Sequence, residues 1–356
     1  MRQVDYLKTS FQWHSQIQLE VVGKDRFLIA CPEQNAIWVL DGQGNTLNQK
    51  SFEDTGHQIA CVKVLANGGV FVYLMDPLSR SFWRRFDRDF KQVASGKFKG
   101  ELTIHPFPMV SEDGSWFLSP DFAVYDPGLP ERLVGQGIFT IQGKEIEIFS
   151  QHSEDGRLYS KMTLARLYEL LKERTQGFFQ PHALLNFDLE NRVLIGNSHA
   201  GEVRRWDPKT RSIQDLFHWH PGESSEAQRG AVGRQILEDR ILAKLPLDLG
   251  DDKEALLRRL LSEPDEDFPA PSCWGVFQLA EDVFGMVTEI DFASGDQVCQ
   301  LFNGNGDAIG EISASHWRFL SPWLVPKIQV FDGMIYFVQP AGPSHHLEIV
   351  RSELQL

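Results

Sequence analysis

The sequence predicts an all-β protein, a six-bladed β-propeller with two helical insertions, closed by its own N-terminal strand. Three observations predict it. Short apolar runs of strand length recur along most of the chain. Between them fall Asp- or Asn-led turns at a spacing that suits one blade. The last group of strands is one short, and the N-terminal run DYLKTSFQW has no neighbour of its own.

The turns come first. WVLDGQGNTL, RRFDRDFKQV, VYDPGLPERLV, RRWDPKTRSI and LFNGNGDAIGEI each join a strand to a polar turn and a second strand. A short Asp or Asn side chain accepts a hydrogen bond from backbone two residues on, and a following Pro or Gly presets the turn. The leading residues are Asp41, Asp87, Asp126, Asp207 and Asn303, at gaps of 46, 39, 81 and 96 residues. The first two gaps match a propeller blade of about 40–50 residues, and the last two are near twice that. Upstream of the turns lie further apolar runs, such as FLIAC (27–31) and VFVYLM (70–75), and beyond them IQLEV (17–21), IACVKV (59–64) and ALLNF (183–187). Each unit is a meander of three or four strands.

Whole blades fall over 14–52, 57–96, 103–135, 180–217, 272–312 and 326–351. The last has PKIQVF, GMIYFVQ and HLEIVRS, and the N-terminal strand supplies its fourth. That pairing removes the open edges that would template aggregation. A seventh blade stays open if GIFTIQGKEIEIF (137–149) begins one. The chain is one domain over 1–356, with insertions over 150–179 and 221–270. In the first, Leu164, Leu167, Tyr168 and Leu171 make a helical stripe, with Thr163 as N-cap and Gly177 beyond the end. In the second, Leu256, Leu257, Leu260 and Leu261 make another, led by Asp251 and Asp252 and stopped by Pro264. The run GRQILEDRILAKLPLDL reads equally as helix or hairpin.

The strand–Trp-Asp-Pro–turn–strand of RRWDPKTRSIQDLF resembles the blades of WD40-like and NHL-like propellers. The resemblance covers most of the chain as a rhythm. True WD40 repeats carry a Gly-His pair and a regular Trp-Asp, and Trp-Asp occurs here in one blade only. It implies a propeller fold and assigns no function, since this architecture carries binding modules and enzymes alike.

Composition excludes some functions. The formal net charge of −14 argues against non-specific binding to nucleic acid and to anionic membrane surfaces. Cys31, Cys61, Cys273 and Cys299 form no C-x-x-C pair, so zinc-ribbon and thioredoxin chemistry drop out. Buried free thiols are expected, and with no apolar leader or membrane-length run the reading is a reducing, cytoplasmic protein.

Local chemistry is sparse. GNSHAG places Ser198 beside His199 but lacks the G-x-S-x-G spacing of a nucleophile elbow, so a β-turn is expected. His218 and His220 would share one face of a strand, as two metal ligands or as edge residues; His345 and His346 read as loop. NGNGD (303–307), with Glu311 after it, lacks calcium-loop spacing and matches the DGQGN turn of the first blade. WRRFDR (83–88) pairs arginines with aromatic rings at a blade edge. The sequence assigns no cofactor.

The segment 248–267 carries eight acids against three bases. Asp251, Asp252, Glu254, Asp265, Glu266 and Asp267 are the candidate contacts for another protein with a basic surface. The leading function is a non-catalytic scaffold presenting inserted helices and an acidic loop. The alternative is a metal-dependent lactone or ester hydrolase resembling the six-bladed gluconolactonase family. That resemblance would give Glu20 and Asn186 ligand roles on inner strands. Glu20 is followed by Val-Val-Gly, where that family carries Glu-Gly-Pro-x-Trp.

Overall fold

The computed structural model describes residues 2–12, 17–52, 56–75, 81–98, 102–104, 109–125, 131–155, 183–219, 271–290, 297–314, 329–341 and 346–353, together with Ala255, which is helical. They form six antiparallel sheets. Blade 1 is β2 (Gln18–Gly23), β3 (Arg26–Cys31), β4 (Ala36–Asp41) and β5 (Thr46–Ser51). Blade 2 is β6 (Gln58–Val64), β7 (Val70–Met75), β8 (Ser81–Phe86) and β9 (Gln92–Lys97). Blade 3 has β10 (Leu102–Ile104) and β11 (Met109–Val110) as a broken first strand, then β12 (Trp116–Tyr125), β13 (Glu131–Thr140) and β14 (Glu145–Asp155). Blade 4 is β15 (Ala183–Phe187), β16 (Val193–Asn197), β17 (Glu202–Asp207) and β18 (Ser212–His218). Blade 5 is β19 (Gly275–Ala280), β20 (Val283–Ile290), β21 (Gln297–Asn303) and β22 (Ala308–Ala314). Blade 6 is β23 (Gln329–Phe331), β24 (Met334–Ala341), β25 (His346–Glu353) and, as its outer strand, β1 (Arg2–Gln12).

The core explains the ring. Second strands bury both faces, so β3 and β7 read as nearly unbroken apolar runs instead of alternating ones, while the third strands β8 (SFWRRF) and β17 (EVRRWD) carry arginines at their less buried positions. Along β3, Ile29 packs toward blade 6 with Tyr336 and Ile349, while its neighbour Leu28 packs toward blade 2 with Val62 and Val72. The pattern repeats around the circle. Phe71 and Tyr73 meet Phe117 and Phe139 between blades 2 and 3, and Leu118 and Ile138 meet Leu185 and Trp206 between blades 3 and 4. Phe217 meets Phe284 between blades 4 and 5, and Leu301 meets Ile335 and Val350 between blades 5 and 6. Six apolar seams join six blades, and the circle closes. Burying one such side chain contributes roughly 1.5–3 kcal/mol.

Closure follows the expected route. β1 pairs antiparallel with β25, with Tyr6 opposite Val350 and Leu7 opposite Ile349. The Thr9 hydroxyl donates to the Leu347 carbonyl at 2.8 Å, and the Phe11 ring lies 5.0 Å from that of Trp38 in blade 1. The first and last strands of the chain thus become one sheet.

The outer hairpins share one geometry. Asp41 Oδ1 accepts from Gln43 N and Asn45 N at 2.9 and 2.8 Å, and Gly44 takes φ +85°. Asp87 with Phe90 (φ 60°) and Asn303 with Gly306 (φ 85°) repeat it. This is a type I turn followed by a left-handed residue. Two details differ from expectation. The hairpin at Asp207 is one residue longer, closing from Arg211 N to Asp207 O. In blade 3 the outer hairpin is led by Thr140, whose hydroxyl accepts from Lys144 N at 3.1 Å, and Asp126 falls outside the described residues. Consequently 137–149 completes blade 3 and begins no seventh blade; blade 3 extends to Asp155. The helical stripes at 164–171 and 256–261 lie outside the described residues.

All four cysteines are free and buried. Burial pushes the thiols of Cys273 and Cys299 up to about 12, with Cys299 further raised by Cys273. In the folded protein none should react with Ellman's reagent at pH 8, and all four should react once denaturant is added; rapid labelling of the native protein would contradict the fold at those seams. Removal of residues 2–12 should lower the melting temperature by at least about 10 °C or drive aggregation, because β25 becomes an open edge. Thr9→Val should cost about 1 kcal/mol by denaturant titration.

Candidate functional site

The first strand of each blade is hydrogen-bonded to a partner strand on one side only, so backbone donors and acceptors face the axis of the ring. Polar side chains from neighbouring blades meet them. Gln18 on β2 donates to Ala60 O at 2.8 Å and accepts from Val62 N at 2.9 Å, both on β6. Asn186 on β15 donates to Val276 O at 3.1 Å. Gln278 on β19 accepts from Leu189 N at 3.1 Å in return. Gln136 on β13 donates to Ala183 O at 2.8 Å.

Glu20 is the charged member of this set. It is buried on β2, and its Oε2 lies 3.1 Å from Lys63 Nζ and accepts from Val64 N at 3.1 Å. Its Oε1 accepts from Gln329 Nε2 at 3.2 Å. One carboxylate therefore ties blade 6, blade 1 and blade 2 together. Burial raises the Glu20 carboxyl above its ordinary value, with Lys63 and the Val64 amide opposing. Burial also works against the Lys63 charge, but attraction and hydrogen bonding to Glu20 outweigh it and raise that group too, with Glu112 assisting. The Lys63 side chain is 22% exposed, so it meets solvent at one side.

A second buried carboxylate, Asp188, anchors the first turn of blade 4. It accepts from Glu190 N and Arg192 N at 2.8 Å each, and Arg192 Nε lies 2.8 Å from its Oδ2. Arg205 Nε also lies 2.8 Å away as an ion contact, and its guanidinium sits 6.0 Å over Phe284 of blade 5.

The residues singled out by sequence fall as follows. Glu20 and Asn186 lie on first strands, on opposite sides of the ring's blade order, and each is engaged with backbone or charge of an adjacent blade. Ser198 and His199 do form a hydrogen bond, 2.8 Å from Oγ to Nδ1, inside the turn that joins β16 to β17. Ser198 is fully buried and Asn197 Oδ1 caps the turn from His199 N and Ala200 N, so this is a turn with its hydroxyl enclosed. His218 is exposed at the end of β18, and His220 lies outside the described residues. The 303–307 and 41–45 turns are the same hairpin, with Asn303 Nδ2 donating to Asp307 Oδ2. Trp83 stacks 6.2 Å from Phe71, and Arg84 lies 5.9 Å over Phe52. No group of three or more His, Cys, Asp or Glu converges among the described residues. Asp251, Asp252, Glu254, Asp265, Glu266 and Asp267 all fall outside the described residues.

Topology gives the two faces of the ring different character. Strands alternate in direction, so first-to-second and third-to-outer turns emerge on one face. These turns are two to five residues long. Links from an outer strand to the next first strand emerge on the other face. There the chain runs 156–182 before blade 4, 219–274 after it, and 315–328 before blade 6. Both insertions therefore leave from and return to one face, on either side of blade 4. Among the described residues no helix is long and apolar enough to cross a membrane.

Sequence inspection missed Gln18, Lys63, Gln278 and Gln329 as members of the axial set, and Gln136, on the third strand of blade 3, as a further cross-blade tie. A signal existed: Gln18 and Glu20 sit two apart inside the apolar run IQLEV, on one side of the strand.

These features define the chain as a repeat protein of the β-propeller class, with six blades. No known protein family matches it, and no curated protein does. Solved structures it resembles include the β-propeller domain of Cps50 (Swd1) from Myceliophteria thermophila, at 10% identity over 98% of each chain with a TM-score of 0.38. Virginiamycin B lyase from Staphylococcus aureus matches at 9% identity over 98% of this chain and 100% of that one, TM-score 0.39. Raptor from Chaetomium thermophilum matches at 9% identity over 99% of this chain and 29% of that one, TM-score 0.42.

Lys63→Met should destabilise the fold by about 3 kcal/mol, because it leaves a buried carboxylate uncompensated. The double variant Glu20→Gln/Lys63→Met should recover most of that loss in urea titration. A pH series tests the same pair. The raised Glu20 group favours the folded state below its ordinary value of 4.5 and loses that contribution as pH rises through its folded value. The melting temperature difference between wild type and Glu20→Gln should therefore shift against wild type as pH rises from 4.5; a flat difference would remove the assigned role.

Proposed function

We propose that the protein is a non-catalytic scaffold whose partner is another protein with a basic surface. The observation that carries the reading is the commitment of the axial polar groups. Gln18, Glu20, Asn186, Gln278 and Gln329, polar side chains of first strands, are each bonded across to a neighbouring blade. The two longest links, 156–182 and 219–274, leave from one face and flank blade 4. The richer of these in charge is the 221–270 insertion, with Asp251, Asp252, Glu254, Asp265, Glu266 and Asp267 as contact residues. Loops on a rigid frame commonly carry recognition, and a cluster of acids would steer a basic partner. The protein works in this reading without a cofactor, in the reducing cytoplasm, away from nucleic acid and membranes.

The test uses the tagged full-length protein, captured from its native cells at near-physiological salt. A stoichiometric protein should co-purify and should be lost at high salt. Replacing the six acids with Lys should cut recovery at least tenfold while the melting temperature stays the same. Undiminished recovery by the Lys variant would move the contact elsewhere on the ring. A purified protein carrying one bound divalent ion per chain, with lactone or ester hydrolysis, would overturn the scaffold reading altogether.

A further inference from the structure

The dipeptide Arg84-Arg85 on β8 has a counterpart in Arg204-Arg205 on β17, and register makes the two pairs equivalent. Phe86 stands opposite Val70 as Trp206 stands opposite Val193, and Arg84 stands opposite Val72 as Arg204 stands opposite Ile195. In blade 4, three carboxylates answer the arginines. Arg204 lies 2.8 Å from Glu202 and 3.1 Å from Asp215, and Arg205 lies 2.8 Å from Asp188. In blade 2 all three positions are neutral. Glu202, two residues before its arginine, corresponds to Phe82. Asp215, opposite Arg204, corresponds to Ser95, opposite Arg84. Asp188, whose amide donates to Arg192 O in the first turn, corresponds to Leu65, whose amide donates to Gly69 O. Among the described residues no carboxylate lies within ion-pair distance of Arg84 or Arg85.

Arg84 turns toward blade 1, where further cations gather. Its guanidinium lies 5.9 Å over Phe52, and Lys50 of β5 lies 5.9 Å over Phe86, with the two rings 5.8 Å apart at 82°. One edge-to-face aromatic pair thus carries a cation from each blade. Lys97 stands opposite Phe82, two residues along from Ser95, on the same side of the sheet as Arg84. Lys50 and Lys97 likewise have no carboxylate within ion-pair distance among the described residues. Lys50 and Arg84 are half-buried and Lys97 is exposed, so the group opens outward. Three like charges at the mouth of one seam repel one another until an anion joins them.

We propose that the outer mouth of the seam between blades 1 and 2 docks a short acidic segment of a partner protein, through Lys50, Arg84 and Lys97. The segment's carboxylates take the role toward Arg84 that Glu202 and Asp215 play toward Arg204. A guanidinium presents a fork that matches a carboxylate, and the two lysines hold further carboxylates as point charges. The chain's net charge of −14 opposes a long polyanion, whose contacts would extend past the three cations, and so favours a short segment. The surface uses no residue of the 221–270 insertion. The inference goes beyond the scaffold reading and does not rest on it.

The test uses the full-length protein and a fluorescein-labelled octapeptide of alternating Asp and Glu, followed by anisotropy. Binding should weaken at least tenfold in Arg84→Gln. It should weaken as much in Ser95→Asp, which places beside Arg84 the carboxylate that Asp215 gives Arg204. Ser95 is exposed, so the melting temperature of that variant should not fall. Arg204→Gln in blade 4 should leave binding unchanged. Zero-length carbodiimide coupling on the wild type needs no variant to fold. Peptide mass spectrometry should find the octapeptide joined to Lys50 and Lys97 at least ten times faster than to the exposed Lys144 and Lys209. No binding, binding untouched by Ser95→Asp, equal weakening by Arg204→Gln, or coupling spread evenly over the lysines would overturn the proposal. Tighter binding of an octathymidylate than of the peptide would overturn the choice of partner.

Discussion

Burial of both faces of every blade is the constraint from which the rest follows. A sheet that packs on one side can end in solvent, but a sheet apolar on both sides needs two neighbours, and each neighbour needs another. Leu28 and Ile29 are adjacent in sequence and belong to different seams. The demand passes from blade to blade until it returns to its origin. A ring is the arrangement that satisfies it with no face left over. This explains why the chain's two ends meet in one sheet, since a missing fourth strand in blade 6 would expose the seam that Phe11 and Trp38 help to cover.

The axial edge poses the complementary problem. Apolar packing cannot satisfy the backbone groups of first strands, and the solution here is a set of amides reaching across seams. Glu20 is the costliest member, because a buried charge is tolerated only with a partner. Lys63 and Gln329 hold it from two other blades. The seams give the ring its cohesion, and these directional bonds fix how each blade meets the next. The same economy of exposed chain shows in the short turns of one face, while the other face carries every long link.

Blade 3 shows how such a ring acquires individuality. Its β12, β13 and β14 run 10, 10 and 11 residues, with extra residues in β12 between Ser119 and Phe122 and in β14 between Ile148 and Ser150. The departure lies directly before the first insertion, as the second insertion lies directly after blade 4. Variation is concentrated around one sector of one face, and the remaining blades stay close to a minimal four-stranded plan.

The sequence by itself determined the blade plan. Asx-led hairpins at Asp41, Asp87 and Asn303, apolar runs such as FLIAC and VFVYLM, and the orphan strand at the N-terminus are local signals, set by turn dihedrals and strand periodicity. Burial of Cys31, Cys61 and Cys299, which sit in apolar runs, was legible for the same reason. The tertiary structure decided what depends on contacts distant in the chain. Residues 137–149 leave a seventh blade open until the register of β13 with β12 and β14 makes them the outer half of blade 3. Thr140 replaces Asp as turn leader, which a search for Asx residues passes over. Glu20 and Asn186 look like ligands in isolation, and become cross-blade ties because Lys63, Gln329 and the Val276 carbonyl arrive from 43, 309 and 90 residues away. Local pattern encodes the strand and its turn; only closure of the ring brings those partners within bonding distance.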